Sequence, residues 1–290
     1  MKTCDLHTHS LYSDGADTPK ELLIKADAIG LSAIALTDHN TVDGLDEFMS
    51  EAPKYAVEAI PGVELSVDYA HEGRVDELHI VCLYLPQSAY GDITALSQEM
   101  KEEKIKSNML LTERLQKAGY AVSYEEATVL TRGIPNRAHI AKILKEKGYV
   151  TSEREAFATL LAKGAGFYTE PPRPDVFSVL DLIHSFGGVS VLAHPFLNLD
   201  KNELAGFLPK AKDAGLVGME TLYPLFSEEE SCIAEALARA YSLLPSGGSD
   251  YHGENKPDLF LGRGKGNLYV PFSFAEDIKA KSLSFNEMDD

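Results

Sequence analysis

The chain has 290 residues, 44% of them hydrophobic, which is enough to bury a core the size of one barrel or of two smaller domains. Its 45 acidic residues outnumber 27 basic ones and leave a net charge of −18. Extended duplexes are bound chiefly by Lys and Arg on phosphates, so this balance makes a long nucleic-acid duplex a poor partner. A small phosphorylated ligand stays open, because bound metal ions add positive charge that a residue count omits.

In chain order, Thr3 to Thr8 reads as a strand. Thr18-Pro19-Lys20-Glu21 is a capping box with Pro at the first helical position, and Gly30 supplies the stop. Ser32 to Thr37 is a second strand, followed by a helix near Val42 to Met49, then strands over Ala59 to Val63 and Leu78 to Leu85. From about Tyr90 to Gly166 the text is Lys/Glu-rich and helix-periodic, with helices predicted over Ile93 to Ala118, Ser123 to Leu130, Asn136 to Lys147 and Ser152 to Lys163. Alternation then resumes with a helix over Val176 to Phe186, a strand over Gly188 to Ala193, a helix over Glu203 to Ala214, and a strand over Val217 to Leu222. A helix over Glu228 to Ala240 and the run Leu243 to Gly248 complete it, and the tail after Ser273 is weakly patterned and expected to fray. Repeated βα units predict a parallel sheet, open or closed, over 1–90 and 167–290, interrupted by a helical insertion domain over 91–166. The N-terminus opens directly on a strand, with no secretory leader and no apolar run long enough to span a bilayer, so a cytoplasmic protein without membrane contact is expected. Cys4, Cys82 and Cys232 form no CxxC and are expected to be buried thiols in a reducing compartment.

Six of the nine histidines fall in five short patterns. They are Asp5-Leu6-His7-Thr8-His9, Thr37-Asp38-His39, Glu77-Leu78-His79, Ala193-His194-Pro195 and Ser249-Asp250-Tyr251-His252, with Asp14 and Glu64 at comparable places. Neutral imidazole with carboxylate is the donor set of Zn²⁺, Mn²⁺ and Fe²⁺, and an ion takes about three or four protein ligands, so the inventory suits two or three ions. His7 and His9 are two apart on a strand, which places both on one face, and Asp5 shares their parity and is expected to accept a ring N–H. His7, His9, Asp38, His39, Glu64, His194, Asp250 and His252 all lie at or just past the end of an apolar strand pattern. Active-site groups of (βα) barrels come from that end of several strands, whereas scattered structural histidines have no reason to collect there.

Taken together, Asp5-Leu6-His7-Thr8-His9-Ser10, Ser13-Asp14-Gly15, Thr37-Asp38-His39, Gly62-Val63-Glu64, His79, Ala193-His194-Pro195 and Gly248-Ser249-Asp250-Tyr251-His252 resemble the PHP (polymerase and histidinol phosphatase) family over nearly the whole chain. The resemblance implies a distorted (βα)7 TIM-like barrel of the α/β class with three divalent metal ions, Mn, Fe or Zn, at the C-terminal ends of its strands. It implies one ion on His7, His9, Glu64 and Asp250, a second on Glu64, His79 and His194, and a third on Asp14, His39 and His252. Part of the family has histidine where this chain has Asp14, a change toward a harder ion such as Mn²⁺ or Fe²⁺.

The insertion after His79, the Asn136-Arg137-Ala138-His139 segment and Leu222-Tyr223-Pro224 resemble a branch of stand-alone phosphoesterases that act on nucleoside 3′,5′-bisphosphates, AMP or short RNA. Ala138 stands where that branch usually has Pro. Arg137 and His139 are expected to grip a substrate phosphate from the insertion, with Arg173 as a second contact. His71 and His184 are expected to be structural or at the surface. The ligand set implies hydrolysis of a nucleotide phosphomonoester by hydroxide generated at the ions, with charge from Arg137 and with Asp250 or His252 as proton carriers. The alternatives are a histidinol phosphate phosphatase, a 5′-to-3′ exonuclease on short RNA and a non-enzymatic metal-binding module. Complete ligand positions and the lack of an attached polymerase segment weigh against the last of these.

Overall fold

The structure, a computed structural model, describes residues 2–131 and 134–286. Strands β1 (Thr3–Asp5), β2 (Ala33–Leu36), β3 (Glu58–His71), β4 (Arg74–Leu83), β5 (Val189–Leu192), β6 (Gly218–Leu222), β7 (Leu244–Gly247) and β8 (Val270–Pro271) form one sheet. Their order is β7-β6-β5-β4-β3-β2-β1-β8. Past the end of β1, the Leu6 N–H donates to the Gly247 carbonyl at 3.2 Å and Thr8 bridges Tyr251, which brings the β7 side of the sheet round to β1 and nearly closes a barrel. The helices are α1 (Pro19–Ala28), α2 (Leu45–Glu51), α3 (Tyr90–Lys117), α4 (Tyr124–Val129), α5 (Arg137–Glu146), α6 (Glu153–Ala158), α7 (Val176–Ser185), α8 (Lys201–Asp213), α9 (Glu228–Ala240) and α10 (Phe272–Asn286). Every position of β2 (Ala-Ile-Ala-Leu) and β5 (Val-Ser-Val-Leu) is buried, as a parallel sheet covered on both faces requires.

The sheet is not all parallel. β4 runs antiparallel to both β3 and β5, while β1–β2, β2–β3, β5–β6 and β6–β7 are parallel pairs. The cause is a two-residue turn, Glu72-Gly73, with φ of 47° and 78°. Two consecutive positive φ values make the tight turn of a hairpin, and two residues cannot carry the crossover that a parallel strand needs. Glu64 therefore lies within the long strand β3 rather than at its end.

The tail departs from expectation too. It is helical over α10, where Ala275, Ile278 and Ser282 are buried at helical spacing. Ala275 and Ile278 join one apolar cluster with Cys4, Leu6, Ala33, Ala35, Ile60, Val81, Leu83 and Val191. An apolar stripe this narrow leaves little periodic signal in the text. Of the cysteines, Cys4 and Cys82 are buried but Cys232 is exposed. Burial pushes the Cys4 thiol up to about 12, so it is inert. No helix among the described residues is long and apolar enough to cross a membrane.

The chain divides into two compact units, Met1–Thr94 with Pro174–Asp290, and Ala95–Arg173. The second unit is helical, with its own core of Leu111, Leu115, Val122, Ile140, Leu144 and Leu161 among others. Its short helices are set by their caps. Ser123 and Glu126 form the capping box of α4, and Asn136 and His139 that of α5. α6 stops at Ala158, well before Lys163, because Thr159 leaves helical geometry (φ −121°, ψ −89°).

Candidate metal centre

The segment after β1 continues in extended form between the ends of β2 and β7. The Thr37 N–H donates to the Thr8 carbonyl and the Asp250 N–H to the His7 carbonyl, at 2.9 and 3.0 Å. His7 and His9 are thus fixed by backbone bonds on both sides, two residues apart, and both are fully buried. Gly248 has to be glycine here, since a Cβ would fall 2.3 Å from His7 Cβ. A Cβ on Gly15 would fall 2.3 Å from the His9 carbonyl oxygen, which lets the loop carrying Asp14 close over His9. His194 and Asp250 both adopt the left-handed region, with φ of 28° and 51°. Such conformations cost about 1–3 kcal/mol in a non-glycine residue and are kept where the side chain must point to a site.

Glu64 is the hub. Its Oε1 lies 2.7 Å from His79 Nδ1 and 3.0 Å from His194 Nε2. Its Oε2 lies 3.1 Å from His7 Nε2, 3.3 Å from His9 Nε2 and 3.0 Å from His39 Nδ1. One fully buried carboxylate therefore faces imidazoles from five positions of the sequence. Asp250 Oδ1 adds a second carboxylate, 3.3 Å from His9 Nε2. Asp14 Oδ1 lies 3.1 Å from His252 Nε2, and Asp14 Oδ2 lies 3.8 Å from His39 Nε2. Glu64 is 0% exposed and Asp14 is 55% exposed, so the cluster runs from a closed floor to an open rim where a ligand can enter.

Three groups of side chains converge closely enough to hold an ion: His7, His9 and Glu64; His39, Glu64 and His79; and His9, Asp14, His39 and His252. His194 and Asp250 stand outside these groups, His194 touching two of them through Glu64 and Asp250 two through His9. The second group has His39 where the family resemblance implies His194, and His9 joins the third. All nine residues named as ligands from the sequence lie in one connected cluster.

The donor set fits divalent ions by a test internal to the structure. His7 Nε2, both ring nitrogens of His9, His39 Nδ1, Glu64 Oε2 and His252 Nε2 are buried without a hydrogen-bond partner. Leaving one buried polar atom unpaired costs about 1–3 kcal/mol, so several in one place need a common partner. Close approach without hydrogen-bond geometry, between lone pairs of N and O, is what ligands around a cation show. Protonation tells the same story. Burial would raise the Glu64 carboxyl, yet the imidazoles of His7, His39 and His79 hold it well below the usual carboxylate range. Burial works against charge on His79, but Glu64 overrides it and lifts the ring to about 10. Burial pushes His9 down to about 3, leaving a neutral ring with lone-pair density to give. The carboxylate of Glu64 thus favours positive charge on the His7, His39 and His79 rings, the same field that would favour a bound cation.

The surrounding shell fixes tautomers and positions. Glu220 Oε1 lies 2.8 Å from His7 Nδ1, and Glu220 Oε2 accepts the His194 N–H at 2.6 Å. That hydrogen-bonds Nδ1 of His7 and leaves Nε2 for the centre, the usual work of a carboxylate behind a ligand histidine. His252 Nδ1 lies 2.8 Å from the Asp250 carbonyl, which turns its Nε2 to Asp14. Among the described residues, no histidine ring pairs with Asp5. Asp5 accepts from the N–H and hydroxyl of Ser249 and from the Gly262 N–H, and so ties β1 to the turn before Asp250. Asp38 accepts from Ser10 and Ser13 and clamps the loop carrying Asp14. Tyr223 and Lys256 both donate to Asp250 Oδ2, at 2.9 and 3.0 Å. Glu220, Tyr223 as a partner of Asp250, and Lys256 were not singled out from the sequence. Only Glu220 left a signal, a carboxylate inside the apolar strand Gly-Met-Glu-Thr-Leu, the same kind of signal that marks Glu64.

Arg137, His139 and Arg173 belong to the helical unit. The Arg137 guanidinium sits 4.1 Å from the Tyr168 ring centre and 5.7 Å from that of Phe157. His139 Nδ1 accepts the Asn136 N–H at 3.1 Å, and Arg173 pairs with Glu170 at 3.1 Å. His71 stacks on Tyr69 and pairs with Asp76, and His184 meets Phe285 edge-on, so both have structural contacts.

Comparison with known proteins agrees with the geometry. A family model described as the PHP domain matches residues 5–170. The chain is 33% identical to a 5′-3′ exoribonuclease of Haemophilus influenzae, over 87% of this chain and 90% of the relative. It is 28% identical to a 3′,5′-nucleoside bisphosphate phosphatase of Chromobacterium violaceum, over 89% and 91%. Among solved structures, an amidohydrolase of Chromobacterium violaceum with bound sulfate aligns with a TM-score of 0.72 at 26% identity, covering 96% of each chain.

Proposed function

The chain belongs to the PHP family and is a metal-dependent phosphoesterase, and from that premise we propose that His7, His9, Asp14, His39, Glu64, His79, His194, Asp250 and His252 hold three divalent ions that cleave a phosphomonoester of a small nucleotide. The observation that carries the reading is Glu64, a buried carboxylate ringed by five imidazoles, in a cluster where His7 Nε2, both ring nitrogens of His9, His39 Nδ1 and His252 Nε2 have no hydrogen-bond partner. When bound, divalent ions supply Lewis acidity toward phosphoryl oxygens and a water nucleophile at neutral pH. The protein's own part is positional. Glu220 orients His7 and anchors the His194 backbone, the Asp250 carbonyl orients His252, and Tyr223 steadies Asp250. Burial of Glu64, His7 and His9 keeps bulk water from the floor, so charges there act in a low dielectric. Asp250 and His252 are proposed as proton carriers, on the ground that His252 lies against both Asp250 and the exposed Asp14. Arg137, His139 and Arg173 are proposed as phosphate contacts on their chemistry, a guanidinium being suited to two phosphate oxygens at once.

Nucleoside 3′,5′-bisphosphate and AMP are the leading substrates, supported by the bisphosphate phosphatase relative. A second reading, 5′-to-3′ removal of nucleotides from short RNA, is supported by the exoribonuclease relative. Both start from a ribonucleotide bearing phosphate, and the length of chain accepted beyond it separates them. The test is turnover by the metal-loaded protein on bisphosphates, AMP, short 5′-phosphorylated RNA and histidinol phosphate. Highest kcat/KM on a mononucleotide supports the first reading, and processive shortening of RNA with poor mononucleotide turnover supports the second. Best turnover on histidinol phosphate sinks both.

A further inference from the structure

We infer that Lys256 is a phosphate-contact residue of the centre, whose ammonium binds the phosphoryl oxygens of the substrate and of the inorganic phosphate released from it. This rests on the metal-centre reading above. Among the described residues, Lys256 is the one Lys or Arg side chain within ion-pair distance of Asp14, Glu64 or Asp250. Its Nζ lies 3.0 Å from Asp250 Oδ2, the carboxylate oxygen turned away from His7 and His9. Tyr223, 4% exposed, already donates to that same oxygen at 2.9 Å, so Asp250 is held without the lysine. An ammonium carries three N–H donors, and here one of them is spent on Asp250. The Lys256 side chain is 42% exposed, against 8% for Asp250, so it is open to solvent and to an incoming ligand.

The loop that carries it is built to stay in place. Lys256 ends the short turn Gly253–Asn255 that follows His252. Gly253 has a φ of 63°, and Asn255 Nδ2 donates to the Asp14 carbonyl at 2.9 Å. One short stretch thus touches the loop of Asp14 and the side chain of Asp250, and sets a cation beside them. In a chain of net charge −18, a cation at the mouth also offsets the repulsion an incoming phosphate dianion would meet.

The test uses the full chain loaded with divalent metal, comparing Lys256→Gln and Lys256→Arg with the parent. Inorganic phosphate binding is measured by calorimetry, metal content by elemental analysis, and KM and kcat separately. Lys256→Gln should weaken phosphate binding roughly tenfold and raise KM by a similar factor, with metal content unchanged. Lys256→Arg should restore most of the phosphate affinity. Unchanged phosphate affinity in Lys256→Gln overturns the inference. So does a fall in metal content with phosphate binding intact in the loaded fraction, which would make Lys256 a support for Asp250 alone. A separate control, His194→Ala, reads the underlying premise, since full metal content and turnover there would sink the metal centre itself.

Discussion

The two units of this protein treat their polar side chains in opposite ways. In the helical unit, the groups that look functional are satisfied from within: Arg137 stacks on Tyr168, His139 caps its own helix, and Arg173 pairs with Glu170. In the barrel unit, ring nitrogens of His7, His9, His39 and His252 lie buried with no hydrogen-bond partner. Among the described residues, no buried side-chain N or O of the helical unit is left without a partner. Natural interiors pair their polar atoms because an unpaired one is costly, so a cluster of exceptions marks a place kept for something else. The barrel is therefore organised around a guest, and the insertion around itself.

The sharpest way to break that contrast is to remove ligands from the barrel. Asp250→Ala or His194→Ala should cut turnover by more than about a thousandfold and reduce metal content, with the far-UV spectrum of the folded chain retained. Near-native turnover at saturating metal in either variant would refute the assignment. A smaller loss is expected one shell out. Glu220→Gln keeps the size but weakens the hold on His7 and on the His194 backbone. Metal affinity should fall about 10–100-fold, the usual range for a carboxylate behind a ligand histidine. A metal titration with unchanged midpoint would remove Glu220 from the centre.

The insertion is then probed with the same instruments. Arg137→Lys should lower kcat/KM by about 2 kcal/mol if a charge-assisted pair to phosphate is lost, while metal content stays constant. Unaltered kcat/KM would leave Arg137 with its ring contacts alone. The smallest effect is expected from His139→Ala, which removes one half of the capping box on α5. That should cost the insertion about 0.5–1 kcal/mol in denaturant unfolding and leave metal binding untouched. A drop in metal content in this variant would contradict the division of labour between the units.

Much of the fold was readable in the text because its signals are local. The capping box at Thr18 and Glu21, the short apolar-rich strands β2 and β5, and the helix over Glu228–Ala240 each depend on neighbours a few residues away. The reversal of β4 also had a local cause, Glu72-Gly73, but only glycine announces such a turn, and a Glu at positive φ gives no hint in sequence. The length of α6 and the order of the tail were misjudged for a related reason. Each is decided by a few contacts, such as Ala275 and Ile278 against β-strand side chains, that a weak period does not reveal.

The sequence by itself determined the chemistry: imidazoles and carboxylates on or just past strands, in the order of the PHP family, on a frame of alternating strands and helices. Only the tertiary structure decided who faces whom. It made Glu64 the hub, joined His39 to Glu64 and His79, sent Asp5 and Asp38 to hold loops, and placed Glu220 behind His7 from 213 positions away. Residue type is written in the chain, and so is the period that turns a side chain to one face. Pairing across such separations is fixed by barrel closure and by the cost of leaving a buried polar atom alone, neither of which has a local sequence signature.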